Sequence, residues 1–223
     1  MDRTLIDLDA AFLLWAEEFS QEHGLDRKAV RWLIELDRNG LPHRELFFAK
    51  VREHFKLPTS AATLWAAYRR RMPYLVQCYP GAVEGLAELR ADGWRVGIIT
   101  NGTADNQLGK LQQTGLSAVV DGCAVSGVEG IRKPDVGLFE IAAKLCGVTL
   151  SEGGWMVGDN LTADIGGGRA AGLHTIWINR EPRHGHEHQA DHIAAGVEGA
   201  IRLMRQEARL TVEPSALTIA DGG

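Results

Sequence analysis

The stretch GWMVGDNLTADI, residues 154–165, decides the fold of this chain. Its first four residues, Gly154-Trp155-Met156-Val157, are rich in strand-forming types and predict a short buried strand. The polar residues that follow lead into a predicted helix near 162–171, with Asp159 and Asp164 five residues apart around its start. A strand that turns directly into a helix is half of a βαβ unit. The stretch therefore predicts a parallel sheet covered by helices.

The same alternation runs through the second part of the chain, from Pro80 onward. The predicted strands are 95–99, 118–120, 154–157 and 174–177, and the predicted helices are 82–91, 105–113, 135–146 and 162–171. Short strands separated by helices are typical of parallel sheets, because a parallel connection needs a crossover. We therefore predict an α/β fold with a mostly parallel sheet.

The first part of the chain has a different pattern. From about Asp9 to Arg71 the apolar residues recur at helical spacing, with breaks at Gly24, 40–42 and 57–58. This pattern predicts four helices and no strand. The chain thus joins a helical part to an α/β part.

Composition excludes several classes of protein. The 223 residues carry a net charge of −5, which gives no general attraction to nucleic acid or anionic lipid. Cys78, Cys123 and Cys146 are odd in number and far apart, so neither a disulfide framework nor a zinc site is indicated. No apolar run reaches the roughly 18 residues of a membrane span. We expect a cytoplasmic protein that binds neither nucleic acid nor a membrane.

Candidate site residues follow the predicted strands, because ligands of open parallel sheets bind at the carboxyl ends of the strands. Thr100-Asn101-Gly102 offers a hydroxyl and backbone amides in a tight turn. Lys133 lies just ahead of a predicted helix, whose N-terminus also favours anions. Asp159 and Asp164 add two carboxylates. One oxyanion and one Mg²⁺ ion would satisfy all of these groups, since magnesium prefers hard oxygen ligands and binds phosphate.

Six motifs together carry a family resemblance. In chain order they are Asp2-Arg3-Thr4-Leu5-Ile6-Asp7, Tyr79-Pro80-Gly81, Ile98-Ile99-Thr100-Asn101-Gly102, Arg132-Lys133-Pro134-Asp135, Gly158-Asp159-Asn160-Leu161-Thr162-Ala163-Asp164-Ile165 and Ala170-Ala171-Gly172. Each is common alone, but in this order they resemble the haloacid dehalogenase superfamily of hydrolases, in its phosphatase branch with a helical cap. The resemblance implies a Rossmann-like, doubly wound core over 1–8 and 79–210 and an inserted all-helical cap over 9–78. Residues 211–223 are rich in Ser, Thr, Ala and Gly, which predicts a loosely ordered tail.

The resemblance also concerns the beginning of the chain. The first motif of the family is D-x-D-x-T, and Asp2-Arg3-Thr4 matches its last three positions, with Met1 at the position before them. The nucleophilic aspartate would be the residue immediately upstream of Met1. The central strand would be missing with it, which leaves an unpaired gap between the strands ending in Ile99 and Val157. Two explanations stay open: a true start upstream of Met1, or a truncated and inactive product.

The family implies a role for each candidate residue. Asp2 would be the general acid and base, and its backbone carbonyl would help to hold Mg²⁺. Thr100, with Asn101 and Gly102, would bind a phosphoryl oxygen, and Lys133 would offset the charge of the phosphoryl group. Asp159 would ligate the metal, and Asp164 would support that metal site from behind it.

These roles predict a Mg²⁺-dependent phosphatase that acts on a small phosphorylated metabolite through an aspartyl-phosphate, as a monomer or homodimer. The alternatives are a haloacid dehalogenase, which displaces halide without a metal, and a non-catalytic protein that binds phosphate or a partner. The cap selects the substrate in this family, and residue spacing does not identify that substrate.

Two further segments have structural interpretations. His184, His186 and His188 lack the spacing that places two imidazoles on one helix face, so we expect a loop there. Gly166-Gly167-Gly168 lies within a helical pattern and predicts that this helix packs closely or starts irregularly.

Overall fold

The computed structural model describes residues 1–38, 44–180 and 189–212. The predicted histidine loop and residues 213–223 of the predicted tail lie outside the described residues. The last helix extends to Val212, so the first two residues of that predicted tail are helical. Within the described residues, no helix is long and apolar enough to cross a membrane.

The first part of the chain is helical, as the periodicity predicts. Its helices are α1 (Leu8–Glu22), α2 (Arg27–Arg38), α3 (Arg44–His54) and α4 (Ala61–Arg71), followed by a 3₁₀ turn at Met72–Tyr74. Two of them begin at a side-chain cap: Asp7 accepts the Ala10 N–H at the start of α1, and Ser60 accepts the Thr63 N–H at the start of α4. Their apolar faces meet in an aromatic cluster of Phe12, Trp15, Phe47, Phe48 and Tyr68, all buried.

Strands and helices alternate in the second part. In chain order they are α5 (Ala82–Ala91), β1 (Gly97–Thr100), α6 (Ala104–Gln113), β2 (Gly122–Val125), α7 (Ser126–Glu129), α8 (Val136–Leu145), β3 (Trp155–Gly158), a π-helical turn (Leu161–Gly166), α9 (Gly167–Ala170), β4 (His174–Ile178), β5 (His192–Ala194) and α10 (Val197–Val212). The α/β prediction is confirmed for this part of the chain.

The predicted strand at 118–120 is wrong. Those residues continue a 3₁₀ turn at Leu116–Ala118, and the strand begins later, at Gly122. Val119 and Val120 pack against the main core, which explains why an apolar run occurs here without a strand. Asp121 sets the strand start, since its N–H donates to the Val96 carbonyl oxygen at 2.7 Å and its carboxylate accepts the Val96 N–H at 2.8 Å.

The described strands form two parallel sheets. β1 pairs with β2 in the register Gly97 to Gly122, and the second sheet has the order β3-β4-β5, with Trp155 opposite His174. Within the described residues β1 and β3 do not pair with each other.

A cavity of ≈ 230 Å³ lies between the two sheets. It is lined by residues of both facing strands, Gly97, Ile98, Ile99, Trp155, Met156 and Val157, by Met1, Thr4 and Leu5, and by apolar side chains that include Leu86, Phe139, Ala200 and Met204. The first residues of the chain therefore form one wall of the space between the sheets.

Two of the three consecutive glycines pack closely, as predicted. A Cβ atom on Gly167 would lie 2.8 Å from the Phe139 ring, and one on Gly168 would lie 2.7 Å from the Cβ of Met156. These close approaches bring α9 against β3 and α8, which places the residues between β3 and α9 at the edge of the sheet.

Candidate functional site

The loops after β1 and β3 and the segment before α8 meet at one edge of the sheets, as predicted. Lys133 joins them, because its ammonium donates to the Ile99 carbonyl oxygen at 2.8 Å and to Asp164 Oδ1 at 2.6 Å. The side chains of Lys133 and Asp164 are each only 6% exposed. Gly158 makes the approach possible, since a Cβ atom there would lie 2.2 Å from Asp164 Oδ2.

Asn101 and Gly102 are engaged with neighbouring loops. The Asn101 side chain accepts the Lys133 N–H at 2.9 Å and donates to the Lys133 carbonyl oxygen at 3.0 Å. The Gly102 N–H donates to Ser126 Oγ at 3.0 Å. Both residues therefore fix the position of the loops, Asn101 holding the backbone that carries the lysine.

Asp2 lies against α6. Its two carboxylate oxygens accept hydrogen bonds from the Lys110 ammonium at 2.9 and 2.8 Å. Burial by itself raises the pKa of Asp2, but the nearby Lys110 and N-terminal charges and the hydrogen bonds from Lys110 and Gln107 bring the pKa below its usual value. In this geometry Asp2 is a carboxylate that can accept a proton.

Sequence reasoning missed Gln107 and Lys110. Both side chains are 2% exposed, and Gln107 Nε2 donates to Thr100 Oγ1 at 2.5 Å and to Asp2 Oδ2 at 3.4 Å. They lie three residues apart, on the face of α6 that also buries Leu111. Two polar residues on the buried face of a helix could have indicated a site, because buried polar groups need hydrogen-bond partners.

Asp159 is the remaining carboxylate. Its Oδ1 atom accepts a hydrogen bond from Thr4 Oγ1 at 3.1 Å, and the Trp177 indole donates to its backbone carbonyl at 3.0 Å. Burial raises the pKa of Asp159, and the Asp164 charge raises it further, against the opposing effect of the N-terminal ammonium. A buried carboxylate with a raised pKa is an environment that a cation would stabilise.

The residues fit a magnesium ion only in part. No group of three or more His, Cys, Asp or Glu residues that could hold a metal occurs in the part of the chain that the structure describes. The carboxylates of Asp2 and Asp164 each bind a buried lysine. However, Thr4 Oγ1 lies 3.1 Å from Asp159 Oδ1 and 3.4 Å from the Asp2 carbonyl oxygen, so both oxygens lie beside the same hydroxyl. Such a pair suits Mg²⁺, which usually keeps several waters.

Met1 is buried, and its amino group interacts electrostatically with these charged residues. Its pKa is lowered by burial and then by repulsion from Lys133, and it interacts with the charges of Asp164, Asp2 and Asp159.

Arginines hold the turn that carries Asp2. Arg180 donates to the carbonyl oxygen of Thr4 at 3.1 Å and to that of Arg3, and its guanidinium stacks over the Tyr79 ring. Arg3 pairs with Asp37 of α2 at 3.3 Å, and Asp37 also pairs with Arg44. The turn is therefore linked directly to the helical part, a connection without a local sequence signal.

Comparison with known proteins identifies related sequences. The sequence model of the haloacid dehalogenase-like hydrolases matches residues 9–172. A phosphoserine phosphatase of Thermus thermophilus is 38% identical over 179 residues, which cover 77% of this chain and 70% of that protein. The pyrimidine 5′-nucleotidase YjjG of Escherichia coli is 31% identical over 191 residues, 82% of this chain and 84% of that protein.

Solved structures share the fold. A HAD phosphatase from Thermococcus onnurineus has a TM-score of 0.64 and 25% identity, covering 92% of this chain and 94% of that one. The HAD-hydrolase YfnB from Bacillus subtilis has a TM-score of 0.73 and 21% identity, covering 92% and 96%. These likenesses confirm the predicted α/β, Rossmann-like fold.

Proposed function

Since the chain belongs to the haloacid dehalogenase-like hydrolases, we propose that it is built for Mg²⁺-dependent hydrolysis of a small phosphate ester through an aspartyl-phosphate. Family membership, together with the phosphatases and nucleotidases among its relatives, makes it a hydrolase of phosphate esters. The observation that carries the finer proposal is that Lys133 binds Asp164 and the end of β1, while Asp159 contacts the Asp2 turn through Thr4.

Asp159 and the backbone carbonyl of Asp2 would hold the magnesium ion. When bound, the ion supplies positive charge that stabilises negative oxygens of the phosphoryl group. The partial fit supports this assignment, because one protein carboxylate and one carbonyl leave positions for water and phosphate. Asp164 instead holds Lys133 in place.

The nucleophile would be a carboxylate on the residue joined to the Met1 nitrogen, in a longer form of the chain. Its attack forms the oxygen–phosphorus bond of an aspartyl-phosphate and breaks the bond to the alcohol. Lys133 would offset charge on the phosphoryl oxygens, and Thr100 would hold one of them once Gln107 releases its hydroxyl.

Asp2 would act in the second half of the reaction. A carboxylate held by Lys110 suits removal of a proton from the water that attacks the aspartyl-phosphate. Protonation of the leaving alcohol by the same residue requires a protonated Asp2, and hence a looser contact with Lys110.

The substrate class follows from the relatives rather than from the cavity. Their names specify phosphoserine, nucleotides, glyceraldehyde 3-phosphate and ribulose 1,5-bisphosphate, all small phosphorylated metabolites. We propose that the substrate of this chain is likewise a small phosphorylated metabolite. The three cysteines are free thiols, which supports a cytosolic, reducing location.

Hydrolysis of p-nitrophenyl phosphate tests the proposal. Three forms are compared with and without Mg²⁺: the chain as it stands, the chain extended by an apolar strand ending in Asp joined to Met1, and the same extension ending in Asn. The Asp form should hydrolyse the ester only with Mg²⁺, while the other two stay silent because they lack the nucleophile. Equal rates of the Asp and Asn forms would rule out covalent catalysis from that position.

A further inference from the structure

The contact between α4 and α6 contains buried polar atoms that lack a hydrogen-bond partner. Among the described residues, such atoms include Arg69 Nε on α4, Asn106 Oδ1 on α6 and Thr103 Oγ1 at the N-cap of α6. Asn106 as a whole is only 7% exposed. Because a buried polar group without a partner costs free energy, three such atoms at one contact point to a polar ligand.

The three atoms belong to neighbouring side chains. Arg69 Nη1 and the Asn106 N–H both donate to Asp105 Oδ1, at 3.3 and 2.9 Å. Thr103 precedes Asn106 by three residues, so their side chains are neighbours on one face of α6. Asp105 already balances the charge of Arg69, since its second oxygen lies 3.1 Å from Nη1. The contact therefore offers one N–H donor, one amide oxygen and one hydroxyl, and it needs no further charge.

The same face of α6 leads to the candidate functional site. Lys110, one turn after Asn106, binds Asp2 at 2.8 Å. Gly109, beside Lys110, packs against the 3₁₀ turn that follows α4, because a Cβ atom there would lie 2.9 Å from Pro73 Cγ. Side chains one turn apart on a helix are about 5–6 Å apart. Asn106 thus lies between the site and the helical part, within the length of a small molecule from both.

We propose that the contact between α4 and α6 binds a hydroxyl group on the alcohol part of the phosphate ester, so that the substrate is a polyol phosphate or a sugar phosphate. A hydroxyl group both donates and accepts, and it can therefore pair with the Asn106 amide oxygen and with Arg69 Nε at the same time. A carboxylate or a second phosphate accepts hydrogen bonds but, when ionised, donates none to the amide oxygen. An alkyl chain does neither.

The position of the phosphoryl candidate agrees with this assignment. Thr100 is bonded to Gln107, the residue next to Asn106. A phosphoryl oxygen at Thr100 and a hydroxyl at Asn106 would lie about one helical turn apart, a distance that a three-carbon alcohol spans. The inference rests on the proposed function for one point, that the ligand carries a phosphoryl group.

Entry of the hydroxyl requires α4 to move slightly off α6, since the unpaired atoms are closed off from solvent. The ion pair of Arg69 and Asp105 crosses this contact, and its side chains are 28% and 54% exposed. Ion pairs as exposed as this one are weak. The pair therefore opposes the movement only slightly.

Equilibrium binding to the chain as it exists tests the proposal with two matched ligands. Glycerol phosphate and n-propyl phosphate share the carbon skeleton and the phosphate, and they differ only in two hydroxyl groups. Calorimetric titration with Mg²⁺ present should give a dissociation constant about ten-fold lower for glycerol phosphate, the effect of one or two hydrogen bonds. Asn106→Leu, and separately Arg69→Met, should bring the two constants within about two-fold of each other. Gln112→Leu, an amide-to-leucine change at an exposed position of α6, is the control and should keep the ten-fold preference.

A second measurement is independent of any phosphate site. Glycerol and n-propanol are titrated separately into the isotope-labelled chain, and NMR follows the side-chain amides of Asn106 and Gln112. The Asn106 signal should shift with glycerol and much less with n-propanol at the same concentration, while the Gln112 signal responds equally to both.

The two measurements together separate the possible outcomes. Equal dissociation constants for the two esters, or a preference that survives both Asn106→Leu and Arg69→Met, would overturn the proposal. If neither ester binds, an Asn106 shift specific to glycerol supports the hydroxyl site and contradicts the proposed function alone. Failure of both esters to bind, together with equal or absent Asn106 shifts, would overturn the hydroxyl site as well.

Discussion

At the scale of single residues, two buried lysines bind two of the site carboxylates. Lys133 binds Asp164, and Lys110 binds Asp2. A buried pair contributes little net stability, but removal of one partner leaves an uncompensated charge in the interior. The two pairs therefore fix where the lysine charge and the Asp2 carboxylate lie, rather than supplying the stability of the fold.

The Lys133–Asp164 pair gives a stability prediction. Asp164→Ala should lower the free energy of unfolding by about 3–5 kcal/mol, because Lys133 stays buried without its carboxylate. Urea denaturation measures the loss. The double variant Lys133→Met, Asp164→Leu is the control and should recover most of it, since no buried charge remains. A loss for Asp164→Ala within about 0.5 kcal/mol, the range of ordinary surface substitutions, would mean that the pair is not buried as described.

Among the elements, the glycines before β4 set how closely α9 approaches the sheet. A Cβ atom on Gly168 would crowd Met156 and Thr175, whereas the nearest atom to a Cβ on Gly166 would lie 3.5 Å away. Both residues have helical neighbours and differ mainly in the space around them. They form a matched pair.

Gly168→Ala should therefore destabilise the protein, by about 1–3 kcal/mol, because the helix must move off β3. Gly166→Ala should be neutral or slightly stabilising, by up to about 1 kcal/mol, since alanine restricts the unfolded chain without a clash. Thermal unfolding of the two variants side by side measures the difference. The same effect for both would show that α9 does not pack as closely as the contacts indicate.

The elements also show what local sequence can and cannot predict. The strand–loop–helix pattern at 154–165 predicted β3 and the turns after it, because burial and turn chemistry are local there. The apolar run at 118–120 wrongly predicted a strand, since its burial comes from packing against the core rather than from strand pairing. Gln107, Lys110 and Arg180 were missed because their roles depend on partners far away in sequence.

For the whole molecule, the two parallel sheets and the helical part meet at one edge. Lys133 and Asp159 come from different connections of the α/β part, while the Asp2 turn is joined to α2 through Arg3 and Asp37. Movement of the helical part would therefore act directly on the turn that carries Asp2. The motifs in sequence order predicted this assembly, but not the hydrogen bonds within it.

The magnesium dependence of hydrolysis tests the proposed chemistry most directly. The rate of p-nitrophenyl phosphate hydrolysis is measured against Mg²⁺ concentration for the chain extended by a strand ending in Asp, and for the same form with Asp159→Asn. The rate should vanish with EDTA and saturate with Mg²⁺, and Asp159→Asn should lower it about 100-fold or more while thermal unfolding still shows a folded protein. Hydrolysis that persists in EDTA, or that is unchanged by Asp159→Asn, would contradict a magnesium phosphatase site at this edge of the sheets.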